Sequence, residues 1–177
     1  GCERRLTLDE MRKSLLEALA KAIESEYEGY GFYMMASKAT EDVQGREVFA
    51  QLAQEELTHA SFLKTQYRSI AETGTVDAGA KLGSPLAVSG KSPIFSTSLR
   101  ARIGDAHFEM SALGVGIHLE QNAMEFYAAQ ALSVQDAAAR AFFRELSEWE
   151  AGHYHALLSQ QLELQEDYRS RNGFAPF

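Results

Sequence analysis

Apolar residues recur at intervals of three and four along four long segments of the chain, which is the spacing of an amphipathic helix. Thr7 and Glu10 form an expected capping box at the start of the first segment, and Asp42 and Asp136 precede the second and fourth segments as expected N-caps. No clear alternating pattern typical of a β-strand is present. The pattern predicts an all-α fold with helices over about residues 8–39, 43–71, 98–133 and 137–169.

The connection between the second and third segments differs from the rest of the chain. Residues 72–97 are rich in Ser and Ala and are interrupted by glycine and proline, so we expect no long helix there. Helices of about 30 residues are about 45 Å long. A connection of this length, at up to about 3.3 Å per residue, can run back along them. We therefore predict a single domain over residues 1–177, a four-helix bundle of two helical hairpins joined by a long crossover.

The composition narrows the class of protein. The 177 residues are 45% apolar and 24% charged, as in ordinary globular proteins, and suffice for a sizeable core. The 17 basic residues against 25 acidic ones give a formal charge of −8, which disfavours nucleic-acid binding. No apolar run is long enough to suggest a membrane partner. Cys2 is the only cysteine, so we expect a free thiol, no intramolecular disulfide and a cytoplasmic location.

The chain repeats its chemistry after 94 positions. Each half contains a Glu-x6-Tyr sequence and then a Glu-x-x-His sequence, and the two glutamates are 30 positions apart. The matched residues are Glu26 with Glu120, Tyr33 with Tyr127, Glu56 with Glu150 and His59 with His153. One Glu-x-x-His sequence is a weak signal, but two with the same preceding residues at the same distance are hard to obtain by chance.

The spacing of the repeat predicts a metal centre. Glu and His at positions i and i+3 lie on one face of a helix. In each half the two glutamates are equidistant from the predicted turn, near residues 41 and 135, so all four carboxylates reach one level in mid-bundle. Four buried carboxylates need compensating charge, which two divalent cations would supply. Oxygen and imidazole donors without thiolate favour iron or manganese.

With these residues the chain resembles the rubrerythrin-like branch of the ferritin-like superfamily over nearly its whole length. The resemblance implies a ferritin-like bundle with a di-iron centre, in which Glu56 and Glu150 bridge two Fe ions. It also implies oxidation of Fe(II) by oxygen or hydrogen peroxide, with electrons from an external donor protein. The implied metal ligands are Glu26, Glu56, His59, Glu120, Glu150 and His153, and Tyr33 and Tyr127 are implied to hydrogen-bond to ligands.

Two features depart from the pattern of rubrerythrins proper. Those proteins carry a cysteine-ligated rubredoxin-like iron domain, which the single cysteine here cannot supply. They also carry an additional Glu one turn beyond the ligand of the third helix, where this chain has Ala123. In that respect the symmetric six-ligand set is closer to bacterioferritin.

The remaining histidines and neighbouring glutamates are expected to lie outside the centre. We expect His107 to be unrelated to the centre, His118 to have a packing or surface role, and His155 to lie at the surface or to support a ligand. We expect solvated charges at Glu55 and Glu148. Glycines crowd the level of the predicted ligands, which indicates close helix approach or room for a small oxidant; they are Gly29, Gly31, Gly114, Gly116 and Gly152.

Three functions other than peroxide reduction or ferroxidase activity are compatible with the sequence. They are iron storage or delivery in a larger assembly, a di-manganese catalase, and a helical interaction module with a vestigial site. Long amphipathic helices favour a homodimer, whereas iron storage in a shell would require many subunits.

Overall fold

The computed structural model describes residues 7–83 and 93–171. Cys2 and residues 84–92 of the predicted crossover lie outside the described residues. The described chain contains five α-helices and one 3₁₀ turn and no strand, which confirms the all-α prediction. The helices are α1 (Leu8–Ala39), α2 (Val43–Thr73), α3 (Thr97–Ala101), α4 (His107–Ser133) and α5 (Ala137–Arg171).

The first hairpin begins and turns where the sequence predicts. Thr7 Oγ1 accepts from the amide of Glu10 at 3.2 Å, and Glu10 Oε2 accepts from the amide of Thr7 at 2.8 Å. This reciprocal pair satisfies two amides at the start of α1. Asp42 Oδ2 accepts from the amide of Gly45 at 2.9 Å and caps α2. The helix ends at Gly74, whose φ of 79° is the left-handed conformation that glycine adopts without strain.

The predicted third helix over residues 98–133 is wrong as one continuous element. It is divided into α3, a 3₁₀ turn (Ile103–Asp105) and α4. Gly104 and Asp105 are poor helix formers, and Arg102 and Ala106 leave helical geometry with ψ of 34° and 39°. Ile103 stays buried in the core despite this interruption. The chain therefore enters α4 through a tight turn.

The two hairpins, α1 with α2 and α4 with α5, pack into a ferritin-like bundle with an apolar cluster on each side of its middle level. One cluster is centred on Phe49, Leu113 and Leu157, and the other on Leu63 and Phe143. Between them lies a layer of buried polar side chains. The fold thus encloses its polar middle level between two apolar layers.

The end of the crossover is fixed to both hairpins. The amides of Ile94 and Phe95 donate to Gln160 Oε1 on α5. The amide of Ser96 donates to Asp42 Oδ2 at 3.1 Å, so the residue that caps α2 also holds the incoming chain. None of the helices in the part of the chain described here has the length and apolarity needed to cross a bilayer.

Candidate metal centre

The six side chains that the repeat singles out converge in the middle of the bundle. Each is at most 5% exposed, and they come from all four long helices. They are Glu26 on α1, Glu56 and His59 on α2, Glu120 on α4, and Glu150 and His153 on α5. The equal distance of the paired glutamates from their turns therefore does place them at one depth.

The six residues form two overlapping groups of donor atoms. In each group the atoms lie within 4.8 Å of one another, close enough to surround one ion. The groups are Glu26, Glu56, His59 and Glu150, and Glu56, Glu120, Glu150 and His153. Glu56 and Glu150 belong to both groups. The geometry thus suits two neighbouring cations that share two carboxylates, as the resemblance implies.

Both imidazoles present the same ring nitrogen to the carboxylates. His59 Nδ1 lies 2.9 Å from Glu150 Oε1 and 3.3 Å from Glu26 Oε2. His153 Nδ1 lies 3.4 Å from Glu120 Oε2 and from Glu150 Oε2. Each group therefore has one nitrogen donor directed inward, the chemistry that di-iron and di-manganese bundles use.

The two predicted tyrosines hold one carboxylate each, and they do so across the bundle. The Tyr33 hydroxyl on α1 donates to Glu120 Oε1 on α4. The Tyr127 hydroxyl on α4 donates to Glu26 Oε1 on α1. Burial and the neighbouring carboxylates raise the pKa of both phenols well above the usual range, so both remain protonated donors. Each phenol fixes one oxygen of a carboxylate and leaves the other to face the centre.

The pattern of unsatisfied atoms fits a pair of cations. Among the described residues, eight buried side-chain N and O atoms lack a hydrogen bond. Seven of them belong to Glu26, Glu56, His59, Glu150 and His153. Buried polar atoms are normally hydrogen-bonded, so a cluster of exceptions needs an explanation. Metal ligation would explain six of the seven, because each offers a lone pair toward the cluster; the seventh, Nε2 of His59, is the outer nitrogen of that ring.

The pKa values of the buried carboxyl groups also indicate a site that lacks compensating positive charge. Burial, and then the negative charge of Glu150, raise the pKa of Glu26 and of Glu56 above the usual range and the pKa of Glu120 to about 8. Burial alone would also raise the pKa of Glu150, but His59 and His153 hold it well below its usual range. Without a cation the cluster therefore compensates its negative charge with protons.

The histidines carry part of that compensation. Burial opposes protonation of His59, yet Glu150 and Glu26 raise its pKa to about 10. Burial likewise opposes protonation of His153, whereas Glu120 and then Glu150 raise its pKa well above the usual value. A metal ligand must be deprotonated, so two bound cations would displace these protons and take over their role.

Two of the five glycines at this level lie in close approach to neighbouring side chains. A Cβ on Gly29 would lie 2.6 Å from Glu56 Oε2. A Cβ on Gly116 would lie 3.1 Å from Leu157 and 3.2 Å from the Tyr33 hydroxyl. Gly31 and Gly152 meet nothing within 4 Å and Gly114 makes only ordinary contact, so these three give no support for close packing.

The prediction that Glu55 is a solvated charge is wrong. Glu55 is 2% exposed, and its Oε2 lies 2.7 Å from Nε2 of His153. A signal was present in the sequence: Glu55 lies three residues after Leu52 and four before His59, so it continues the buried stripe of α2. Glu148 is exposed, as expected. His107, His118 and His155 are also exposed and lie outside the centre.

A family model described as Rubrerythrin matches residues 17–160 of the chain. The match includes both halves of the repeat and all eight residues of the predicted site. No curated protein and no solved structure gives a significant match.

Proposed function

This chain belongs to the rubrerythrin family, and on that premise we propose that it is a di-iron oxidoreductase that reduces hydrogen peroxide or oxygen with electrons from an external donor protein. The observation that carries the proposal is the pair of overlapping buried donor groups, with unsatisfied ligand atoms directed into them. Four carboxylates would balance the charge of two divalent ions, and the two imidazoles would complete one group each.

In the proposed centre each residue has one task. Glu26 with His59, and Glu120 with His153, would each hold one ion, while Glu56 and Glu150 would hold both. Two bound Fe(II) ions would supply the two electrons that reduction of hydrogen peroxide to two water molecules requires. Two protons would complete the two water molecules, and the external donor would have to supply two electrons for each further turnover.

The residues around the ligands support this chemistry by orientation and by exclusion of water. Tyr33 and Tyr127 fix the carboxylates of Glu120 and Glu26, so these ligands need little reorganisation when an ion binds. The apolar clusters on either side keep bulk water from the donor layer. A dry site strengthens the interaction between carboxylate and cation.

The experiment combines metal analysis with rapid kinetics. Protein purified without added metal is analysed for iron and manganese, which separates a di-iron enzyme from a di-manganese catalase. Metal-free protein is then loaded anaerobically with Fe(II) and mixed with peroxide or with oxygen. We expect about two Fe per chain and oxidation faster than in buffer.

The matched controls are two glutamate variants. Glu56→Ala removes a donor common to both groups and is expected to abolish the rapid oxidation. Glu148→Ala changes an exposed glutamate on α5 and is expected to behave as the unmodified protein. Oxidation no faster than in buffer would refute the oxidoreductase proposal. Failure of Fe(II) to bind or to raise the melting temperature would favour the interaction module with a vestigial site.

A further inference from the structure

The 94-position repeat places the same residue type at matched donor positions in both halves. It does not do so at the two positions whose side chains contact the histidines from outside the donor cluster. Shifted by 94 positions, Glu55 falls on Trp149. Each residue lies immediately before a glutamate shared by both groups, and each contacts the histidine of the opposite hairpin. Two equivalent places in the bundle are thus occupied by a carboxylate and by an indole.

The carboxylate supports His153. Because Nδ1 of His153 faces the donor cluster, Nε2 is the ring nitrogen left to bond outward, and Glu55 Oε2 lies 2.7 Å from it. Binding of a cation at Nδ1 places the ring proton on Nε2, which then donates to Glu55. A carboxylate in this position fixes the tautomer and the ring plane and makes the imidazole a stronger donor.

The indole cannot support His59 in the same way. The Trp149 ring stands edge-on to the His59 ring with their centroids 5.0 Å apart. Among the described residues, no hydrogen-bond partner is found for Nε2 of His59. An indole N–H is only a donor, so it cannot accept a proton from the outer nitrogen of a metal-bound imidazole.

We propose that Glu55 and Trp149 make the two metal positions unequal, so that a divalent cation binds more tightly at the position of His153 than at that of His59. Glu55 is a positioning residue that acts through His153. The inference rests on the proposed metal centre. Its consequence is stepwise filling, with one ion held firmly and the other exchanging more readily.

The test is a titration of the full-length, metal-free protein with Co(II), which binds without being oxidised by air under mild conditions. We expect two Co(II) per chain, with affinities that differ by roughly 10- to 100-fold, the usual effect of such a supporting group. Glu55→Gln keeps the size of the side chain but removes its charge. We expect it to weaken the tighter step and leave the weaker step nearly unchanged.

Trp149→Phe is the matched control, because it leaves His59 without an acceptor and should preserve the difference between the steps. Proton NMR of the Co(II) protein supplies a readout that a merely structural role would not move. The shifted ring N–H signal of His153 is expected to appear with the first equivalent of Co(II). Glu55→Gln should move this signal, whereas the corresponding signal of His59 should stay in place.

The outcomes separate this inference from the function on which it rests. Two ions bound with equal intrinsic affinity, or the first ion bound at His59, would overturn the inequality and leave the metal centre intact. Fewer than two ions bound would overturn the metal centre and the inequality together. The titration of the unmodified protein decides these points even if Glu55→Gln does not fold.

Discussion

The two hairpins are built alike at their turns and differently at their middle. Asp42 caps α2 through the amide of Gly45, and Asp136 caps α5 through the amide of Ala139 at 2.7 Å. Arg46 then donates to the carbonyl of Thr40. Arg140 donates to that of Val134 in the same way. The packing beside the phenols also repeats, since Tyr33 stacks on Phe49 at 6.3 Å and Tyr127 on Phe143 at 6.1 Å.

At the level of the donors the hairpins differ at several positions, two of which contact the candidate ligands in one hairpin or both. Glu55 is matched by Trp149, and Gly29 is matched by Ala123. The absence of a side chain at Gly29 makes room for the carboxylate of Glu56. Repeated residues thus build the hairpins and supply the donors, while unrepeated residues determine how the donors differ. The candidate centre is therefore symmetric in its six donor side chains and asymmetric in the residues around them.

The largest expected effect on metal binding comes from a glutamate that belongs to both donor groups. Glu150→Ala removes a donor from both groups, whereas Glu26→Ala removes one from a single group. We expect Glu150→Ala to weaken binding of both ions by more than about 100-fold, beyond the range for groups that only support a ligand. Glu26→Ala should retain one ion per chain. The metal content per chain after gel filtration checks both variants. A Glu150→Ala protein that retains two ions would contradict the assignment of Glu150 to both donor groups.

The phenols provide the next largest effect and test the symmetry of the halves. Tyr33→Phe leaves Glu120 without its buried donor, and Tyr127→Phe does the same to Glu26. Each should lower the free energy of unfolding of the metal-loaded protein by about 1.5–3 kcal/mol, as for hydrogen bonds to charged groups. Urea unfolding measures both, with exposed Tyr67→Phe as the control. No loss in either variant would show that the phenols do not hold the carboxylates.

The smallest expected effect on metal affinity comes from a substitution at position 29, compared with one at the matched position 123. Gly29→Ala places a methyl group against the carboxylate of Glu56, which must move, so we expect metal affinity to fall by about 10-fold. Ala123→Gly should cost about 1 kcal/mol in helix stability and leave metal affinity unchanged. The Co(II) titration and urea unfolding distinguish the two. Equal metal affinities in both variants would contradict the role assigned to Gly29.

The sequence predicts most of this arrangement because its strongest signals are local or repeated. The period of the apolar residues and the caps at Thr7 and Asp42 define the helices. The doubled spacing of glutamate, tyrosine and histidine identifies the donors before any packing is known. Equal distances from the two turns then predict their common depth, since residues equidistant from a hairpin turn face each other.

The two errors have different physical causes. The burial of Glu55 depends on His153, which is 98 positions away and belongs to the other hairpin. From α2 alone, a glutamate at the edge of the stripe is as compatible with solvent as with the core. The break between α3 and α4 coincides with two weak helix formers, Gly104 and Asp105, but the spacing of apolar residues continues across it and Ile103 stays buried.

The crossed phenols have a consequence for the order of assembly. Since Tyr33 bonds to Glu120 and Tyr127 to Glu26, neither α1 nor α4 can satisfy its own glutamate through its own tyrosine. A hairpin formed alone would carry an unmatched phenol and an unmatched acid. The two hairpins must therefore dock for the donor pocket to be complete. Both hydrogen bonds between the hairpins form only when the hairpins pack in the correct register.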